Sequence, residues 1–221
     1  MLQIVQKEEK MSKGHQTRAM ILERAAPLFN QQGYFGSSLS AIMDATGLEK
    51  GGIYNHFQSK EQLALEAFDY TFRKIQQRVR FLLTDKHHAV ERLQAIVAAF
   101  RELIDHPLVA GGCPVLNTAI ESDDAHPILR ERARGAMDEW QETIRRIVTK
   151  GIEHHEIRPE VDSEAVATIM ISTLEGAVML SKLYDDSTHM QRAVAHLHHY
   201  IEAELAYIVP TIQASKQTER Q

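Results

Sequence analysis

Cysteine is almost missing from this sequence, Cys113 being the one thiol in 221 residues. A lone cysteine can form neither an intrachain disulfide nor a cysteine-based zinc site, and it points to a reducing, cytoplasmic setting. Six prolines and eleven glycines are too few for a collagen-like or low-complexity chain, and the 6% of aromatic residues include a single tryptophan, Trp140. No uncharged apolar run approaches the roughly 20 residues a membrane helix needs, so no membrane span is expected. The opening MLQIVQKEEKMSKGHQ is charged and lacks the apolar centre of a targeting segment. A glycine-rich phosphate loop, a nucleophile elbow and a His-Glu-x-x-His pair are all missing; His196-Leu197-His198-His199-Tyr200 has no glutamate where one is needed. No catalytic residue and no cofactor are therefore expected. His154-His155 and the trio His196, His198 and His199 invite a metal reading, but only His196 and His199 of the trio share a helix face, so no metal is expected either.

What is present suits an ordinary globular protein long enough to bury a sizeable core: 43% hydrophobic and 25% charged residues, with a net charge of -5. That balance argues against uniform coating by nucleic acid. The charge is uneven, however. Residues 1–60 carry seven Lys/Arg against five Asp/Glu, whereas the remainder carries eighteen against twenty-five, so the N-terminal segment is the candidate for touching a polyanion.

Apolar residues recur at helical spacing nearly throughout, and alternation of period two is absent, which predicts an all-α fold. Met20, Ile21, Ala25 and Leu28 mark a helix over 17–29 that breaks at Gly33-Tyr34-Phe35-Gly36. Ser38 is placed to cap a short helix that Gly47 closes, and a second short helix spans about 50–57. Ser59, with Gln62 in the capping-box position, opens a long helix to about 83. Further helices are expected over 90–104, 115–120, 128–154, 163–183 and 188–208, punctuated by His106-Pro107, Gly111-Gly112-Cys113-Pro114 and His126-Pro127. The domains expected are a three-helix unit over 12–60 and a helical body over 61–210.

Residues 39–63, LSAIMDATGLEKGGIYNHFQSKEQL, carry the function. Two short helices joined by a turn at Gly47 are the arrangement in which one helix braces another that enters the DNA major groove. Ile42, Ala45, Ile53 and Phe57 can meet the first long helix in a miniature core. That leaves Lys50, Gly51, Gly52, Tyr54 and Asn55 outside. The run Gly47-Leu48-Glu49-Lys50-Gly51-Gly52-Ile53-Tyr54-Asn55-His56-Phe57-Gln58-Ser59-Lys60-Glu61-Gln62-Leu63, with Ala25, Phe29, Gly33-Tyr34 and Ser38 upstream, resembles the TetR family of bacterial transcriptional repressors over about 17–65. The resemblance implies that Lys50, Tyr54 and Lys60 contact phosphates while the exposed face of helix 50–57 reads base edges, Asn55 suiting adenine. Ser38, Ser40, Glu49, Gly51, Gly52 and His56 complete the expected interface. The competing roles are aromatic packing for Tyr54 and a hydrogen-bonded structural imidazole for His56. Two positions depart from the family pattern: Glu49 stands where a small polar residue is usual, and Gly52 where Thr, Ser or Ala commonly reaches toward DNA.

The same resemblance implies a body that binds a small effector and a homodimer paired through helices about 163–183 and 188–208. The apolar series running from Val166 to Leu183 and from Val194 to Ile208 supports such a four-helix seam, with Gly176 and Ala177 permitting close approach. The segment GGCPVLNTAIESDDAHP, residues 111–127, resembles a feature of one branch of the family and is expected beside the effector cavity. Phe100, Leu103, Cys113, Leu116, Asn117, Ile120, Trp140, Ile144, Met170 and Met179 are the candidate lining residues, and no basic cluster is present for a phosphorylated ligand, so an apolar or amphipathic effector is expected. Cys113 is an alternative sensor of oxidants. The function expected is a ligand-responsive repressor that binds a palindromic operator in double-stranded DNA. An activator or dual regulator of the same fold, a helical enzyme and a protein-binding adaptor are the rival readings.

Overall fold

The structure, a computed structural model, describes residues 12–207. Among these residues the regular structure is helical, with one isolated antiparallel bridge between Ile157 and Ala206. The long α1 (Lys13–Gly36) comes first, then two short helices, α2 (Leu39–Thr46) and α3 (Lys50–Tyr54), followed by the long α4 (Lys60–Leu83). The body continues through α5 (Ala89–Asp105), α6 (Pro114–Ser122), α7 (Pro127–Glu153), α8 (Ser163–Tyr184) and α9 (Thr188–Tyr200), which ends in a π-helical turn, Ile201–Leu205. The ends expected at 208 and 210 lie outside the described residues.

Local chemistry sets the boundaries. Ser38 Oγ accepts the N–H of Ala41 to cap α2, and Gly47, at φ 71°, takes the left-handed conformation that closes it. At the head of α4, Ser59 Oγ accepts from Gln62 N at 3.0 Å; the Gln62 side chain reaches back to Gln58 N at 2.6 Å, one residue beyond the usual capping-box target. Pro114 and Pro127 open α6 and α7, where a missing N–H costs nothing. α1 is longer than expected and α3 shorter: the backbone leaves the helix after Tyr54, and Phe57 enters the core from the following turn.

Two apolar clusters form. The smaller gathers Ile21, Leu22 and Ala25 of α1, Ile42, Ile53 and Phe57, and then Leu63 and Ala67 of α4. The first two turns of α4 thus belong to the N-terminal core, so the expected boundary at 60 cuts through it. The larger cluster begins at Phe68 on the same helix and joins α5, α7, α8 and α9 around Phe100, Trp140, Ile144, Met170 and Leu174. α4 is therefore a member of both cores.

Two expectations about α8 change. By length and composition it is apolar enough to cross a membrane, although Glu175 and Lys182 interrupt its apolar run, and it is half buried against the body. Ala177 and Val178, expected at a dimer seam, face the body core instead. The outward face of α8 carries Ile169, Met179 and Leu183, the last 70% exposed, and the open side of Gly176, where an added Cβ meets nothing within 4 Å.

Candidate nucleic-acid interface and ligand cavity

The N-terminal core leaves one side of α2 and α3 in solvent. Ser40, Glu49, Lys50, Gly51 and Asn55 are exposed, and Gly52, Tyr54, His56 and Lys60 are half-buried beside them. Ile53 and Phe57, pinned in the core on the other side, fix which face α3 presents. Arg24 braces α2 from below, its guanidinium reaching the carbonyl oxygens of Ala45 and Thr46 at 3.4 and 3.3 Å.

Each expected interface residue has a definite setting. Ser38 is exposed, but its hydroxyl is engaged as the α2 cap. Glu49 occupies the cap position of α3, yet its carboxylate makes no capping bond. Lys50 places its ammonium 5.8 Å from the centre of the Tyr54 ring, and Gly51 has open space where a side chain would stand. The Lys60 ammonium lies 4.5 Å from the Tyr34 ring centre, a cation–π contact at the head of α4. Burial lowers its pKa, partly opposed by the nearby Glu121 carboxylate. Among the described residues the backbone N–H groups of Lys60 and Glu61, at the helix start, have no acceptor. His56 corrects an expectation: its imidazole is half-buried but makes no hydrogen bond within the described residues.

Tyr34 was the residue sequence reasoning undervalued. It follows Gly33, whose φ of 74° puts a kink inside α1, and burial raises its phenol pKa, with Glu61 and Tyr54 adding to the effect. Its backbone N–H and that of Phe35 donate to the two oxygens of Glu121 at 2.8 and 2.9 Å. A Cβ on Gly33 would lie 2.3 Å from that carboxylate, so glycine is required both by the backbone and by the contact.

Glu121 is one of two clamps between the N-terminal unit and the body. The other is built on Asn30, whose amide donates to Ala110 O and Gly112 O at 2.9 and 3.1 Å. Asn117 returns the contact, donating to Asn30 O, Asn30 Oδ1 and Gly111 O between 2.8 and 3.0 Å. Gly111 and Gly112 both have positive φ, and a Cβ on Gly111 would strike the Asn30 backbone. The 111–127 segment is thus chiefly a joint, and its Pro114, Thr118 and Glu121 also line a small cavity of about 30 Å³ between α1, α4 and α6. The Asn117 amide nitrogen is engaged in the joint, Leu116 packs on the core, and Ile120 is 61% exposed. Cys113, buried at the N-cap of α6, has its thiol pKa driven up by burial and by Glu175, so it stays protonated and shielded rather than poised for oxidants.

A cavity of about 260 Å³ opens between α4, α5 and α7. Phe100, Trp140 and Ile144 line it as expected, together with Val79, Leu83, Ile96 and Ile171, while Gln76, Arg80, Glu139 and Thr143 supply polar groups. Leu103 and Met170 are buried in the surrounding core but do not line it, and Met179 lies 47% exposed on the outer face of α8. Trp140 is flanked by Phe100 at 5.1 Å and Phe72 at 5.7 Å between ring centres. A larger groove of about 620 Å³ is walled by Glu142, Arg145, Arg146, Lys150, Glu153 and Glu164, a charged surface unsuited to an apolar guest. Among the described residues no three His, Cys, Asp or Glu side chains gather as metal ligands.

A helix-turn-helix held out by its own small core, and joined to a helical body with an internal cavity, defines a transcriptional regulator. Residues 21–67 match the model of the TetR family of bacterial regulatory proteins, and residues 89–197 match a tetracyclin repressor-like C-terminal domain. The chain is 50% identical to a TetR transcriptional regulator from Chloroflexus aurantiacus, covering 90% of this chain and all of that one with a TM-score of 0.87. A TetR family regulator from Cytophaga hutchinsonii is 32% identical, with 91% of this chain and all of that one covered and a TM-score of 0.83. The transcriptional repressor DhaR of a Mycobacterium species is 27% identical over 75% of this chain and 82% of its own length. The protein belongs to the TetR family and is a DNA-binding regulator of transcription.

Proposed function

We propose that the protein is a cytoplasmic, non-catalytic repressor that binds a palindromic operator as a homodimer and is released by a small apolar or amphipathic effector. The observation that carries this reading is the exposed face of α3, where Lys50, Gly51 and Asn55 stand in solvent while Ile53 holds the helix to its core. One such five-residue helix contacts too few base pairs for useful specificity, and two related by a twofold axis read a palindrome. The outward apolar face of α8 supports pairing with a second copy, and the Trp140 cavity supports an effector site. In this reading Lys50, Tyr54 and Lys60 hold phosphates, Asn55 meets a base edge, and Ser40, Glu49, Gly51, Gly52 and His56 border the groove. Effector bound beside Val79 and Leu83 moves α4 and changes the spacing of the two reading helices; a coupling of about 1–3 kcal/mol shifts affinity roughly 5–150-fold.

Paired titrations test the assignment. Asn55→Ala is expected to weaken binding to selected operator while leaving scrambled duplex unchanged, whereas Lys50→Ala weakens both and flattens the salt slope by about one. Unchanged affinities for both variants on both duplexes would remove α3 from the interface.

A further inference from the structure

Positive charge gathers where α4 ends, α5 begins and α7 ends. A groove of about 380 Å³ there is lined by Lys86, Arg92, Arg146 and Lys150 and by one carboxylate, Glu156. The cations come from two distant stretches of the chain, so the basic cluster that the sequence reading did not expect forms only on folding. Gly151 makes the close approach possible: a Cβ there would lie 2.6 Å from that of Ala89, and the start of α5 rests directly on α7. With Ile147, these two buried residues give the groove an apolar floor.

These charges are not matched within the fold. In the neighbouring 620 Å³ groove Arg145 meets Glu142 and Glu164 at 2.9 Å, and Arg146, which borders both grooves, meets Glu142 at 2.5 Å. Among the described residues Lys86, Arg92 and Lys150 have no carboxylate within ion-pair distance. Glu156 is directed to the start of α5, where its Oε2 accepts the Ala89 N–H at 2.7 Å. Arg92 is half-buried, and its bond to Lys86 O at 3.0 Å fixes the guanidinium beside the turn that follows α4. Three unmatched cations against one carboxylate leave an excess of two positive charges. Like charges crowded into a concave site repel one another, and a bound anion relieves that repulsion.

We propose that this groove binds the phosphate group of a small phosphorylated molecule, as a ligand site additional to the effector cavity. A phosphate monoester, with a second pKa of about 6, is a dianion at neutral pH and matches the excess charge. Arg92 offers the planar fork that suits phosphate oxygens, Lys86 and Lys150 supply ammonium groups, and the imidazoles of His87 and His154 stand on the same lining as further donors. The groove lies away from the operator-reading face: α4 has 24 residues, so at about 1.5 Å each its ends are roughly 36 Å apart, and the reading helix precedes its start. The groove and the Trp140 cavity share the wall residue Thr143 but no charged residue, so either reading can fail without the other. An anion held here ties the end of α4 to the end of α7.

Isothermal titration calorimetry of the full-length protein at pH 8 and low salt, with phenyl phosphate and phenylacetate as probes, tests the proposal. The expected result is saturable binding of phenyl phosphate, at least about tenfold tighter than the singly charged phenylacetate. Lys150→Gln removes an exposed ammonium that makes no hydrogen bond or ion pair among the described residues, and it should weaken phenyl phosphate at least about tenfold. Arg92→Gln should do the same, and if it fails to fold, Lys86→Gln takes its place. Arg134→Gln removes an equal charge from an exposed position elsewhere on α7 and should leave the affinity unchanged. No saturable binding of phenyl phosphate, or equal affinity for the two probes, overturns the proposal. A loss in Arg134→Gln as large as in Lys150→Gln overturns it too, by reducing the effect to net charge. Two further arms separate other sources of phosphate. If Lys150→Gln weakens random duplex DNA by a similar factor, the groove is a DNA contact and the proposal falls; if the protein sediments with phosphatidate vesicles and phenyl phosphate does not displace it, the groove is a membrane contact and the proposal falls likewise.

Discussion

Glu49 stands at the entrance to the reading helix and caps nothing. Its charge favours the positive end of α3 by about 0.3–1 kcal/mol but repels a phosphate placed there. Serine is a better cap, so Glu49→Ser should alter stability by less than about 1 kcal/mol while tightening binding to random duplex at low salt. Affinities for operator and scrambled duplex across a salt series check this. Weaker operator binding alongside tighter random binding would make Glu49 a reader of cytosine rather than a brake. Glu175 gives a second residue-level test. Its pKa rises from 4.5 when unfolded to about 7 in the fold, so the folded state holds the extra proton between those values. Stability should then fall as pH rises through that window, by about 3 kcal/mol in all, and stay level above it. Urea unfolding of the wild type and Glu175→Gln at pH 5 and pH 8 measures the difference. The variant should lack most of this fall, and identical pH dependence would show that another group sets it.

Among the elements, α8 is divided between two duties. Val166, Met170, Leu174, Ala177 and Val178 face inward, and Ile169, Met179 and Leu183 face out. Ile169→Glu with Leu183→Glu should therefore yield a folded monomer, because the added carboxylates disturb only the surface that a second copy covers in the proposed dimer. Sedimentation velocity and circular dichroism are the measurements; a dimer of unchanged strength would place the seam elsewhere. Ala177→Glu, by contrast, damages the subunit's own core. Helical spacing showed that both faces of α8 are apolar but not which one turns inward, since that depends on where α7 and α9 lie. The same limit explains the 111–127 segment. Its glycines, proline and Asn117 were visible, but the acceptors for the Asn117 amide are carbonyls of α1 and a distant turn, brought together only by folding. The interface was far more legible. Ser38, Gly47, Ile53, Phe57 and Ser59 act within a few residues of one another, so cap, turn and buried face follow from local spacing.

For the molecule as a whole, the two apolar cores share α4 and are clamped through α1 and α6, so a change in the body has two routes to the reading helix. Gly33 is the narrowest point of the second route. Gly33→Ala should destabilise the fold by more than about 1 kcal/mol, through its positive φ and the Glu121 contact, and loosen the response of DNA binding to effector. Thermal unfolding and operator titration with and without effector check it, and wild-type behaviour in both would place the coupling in α4 alone. The central claim is that two copies of this chain present two α3 helices to one duplex. Selection from random double-stranded DNA with the purified protein tests it most directly. The account predicts enrichment of an inverted repeat with half-site centres about one helical turn, or a small multiple, apart. Enrichment of a single asymmetric half-site, or no enrichment while the protein remains folded, would contradict it.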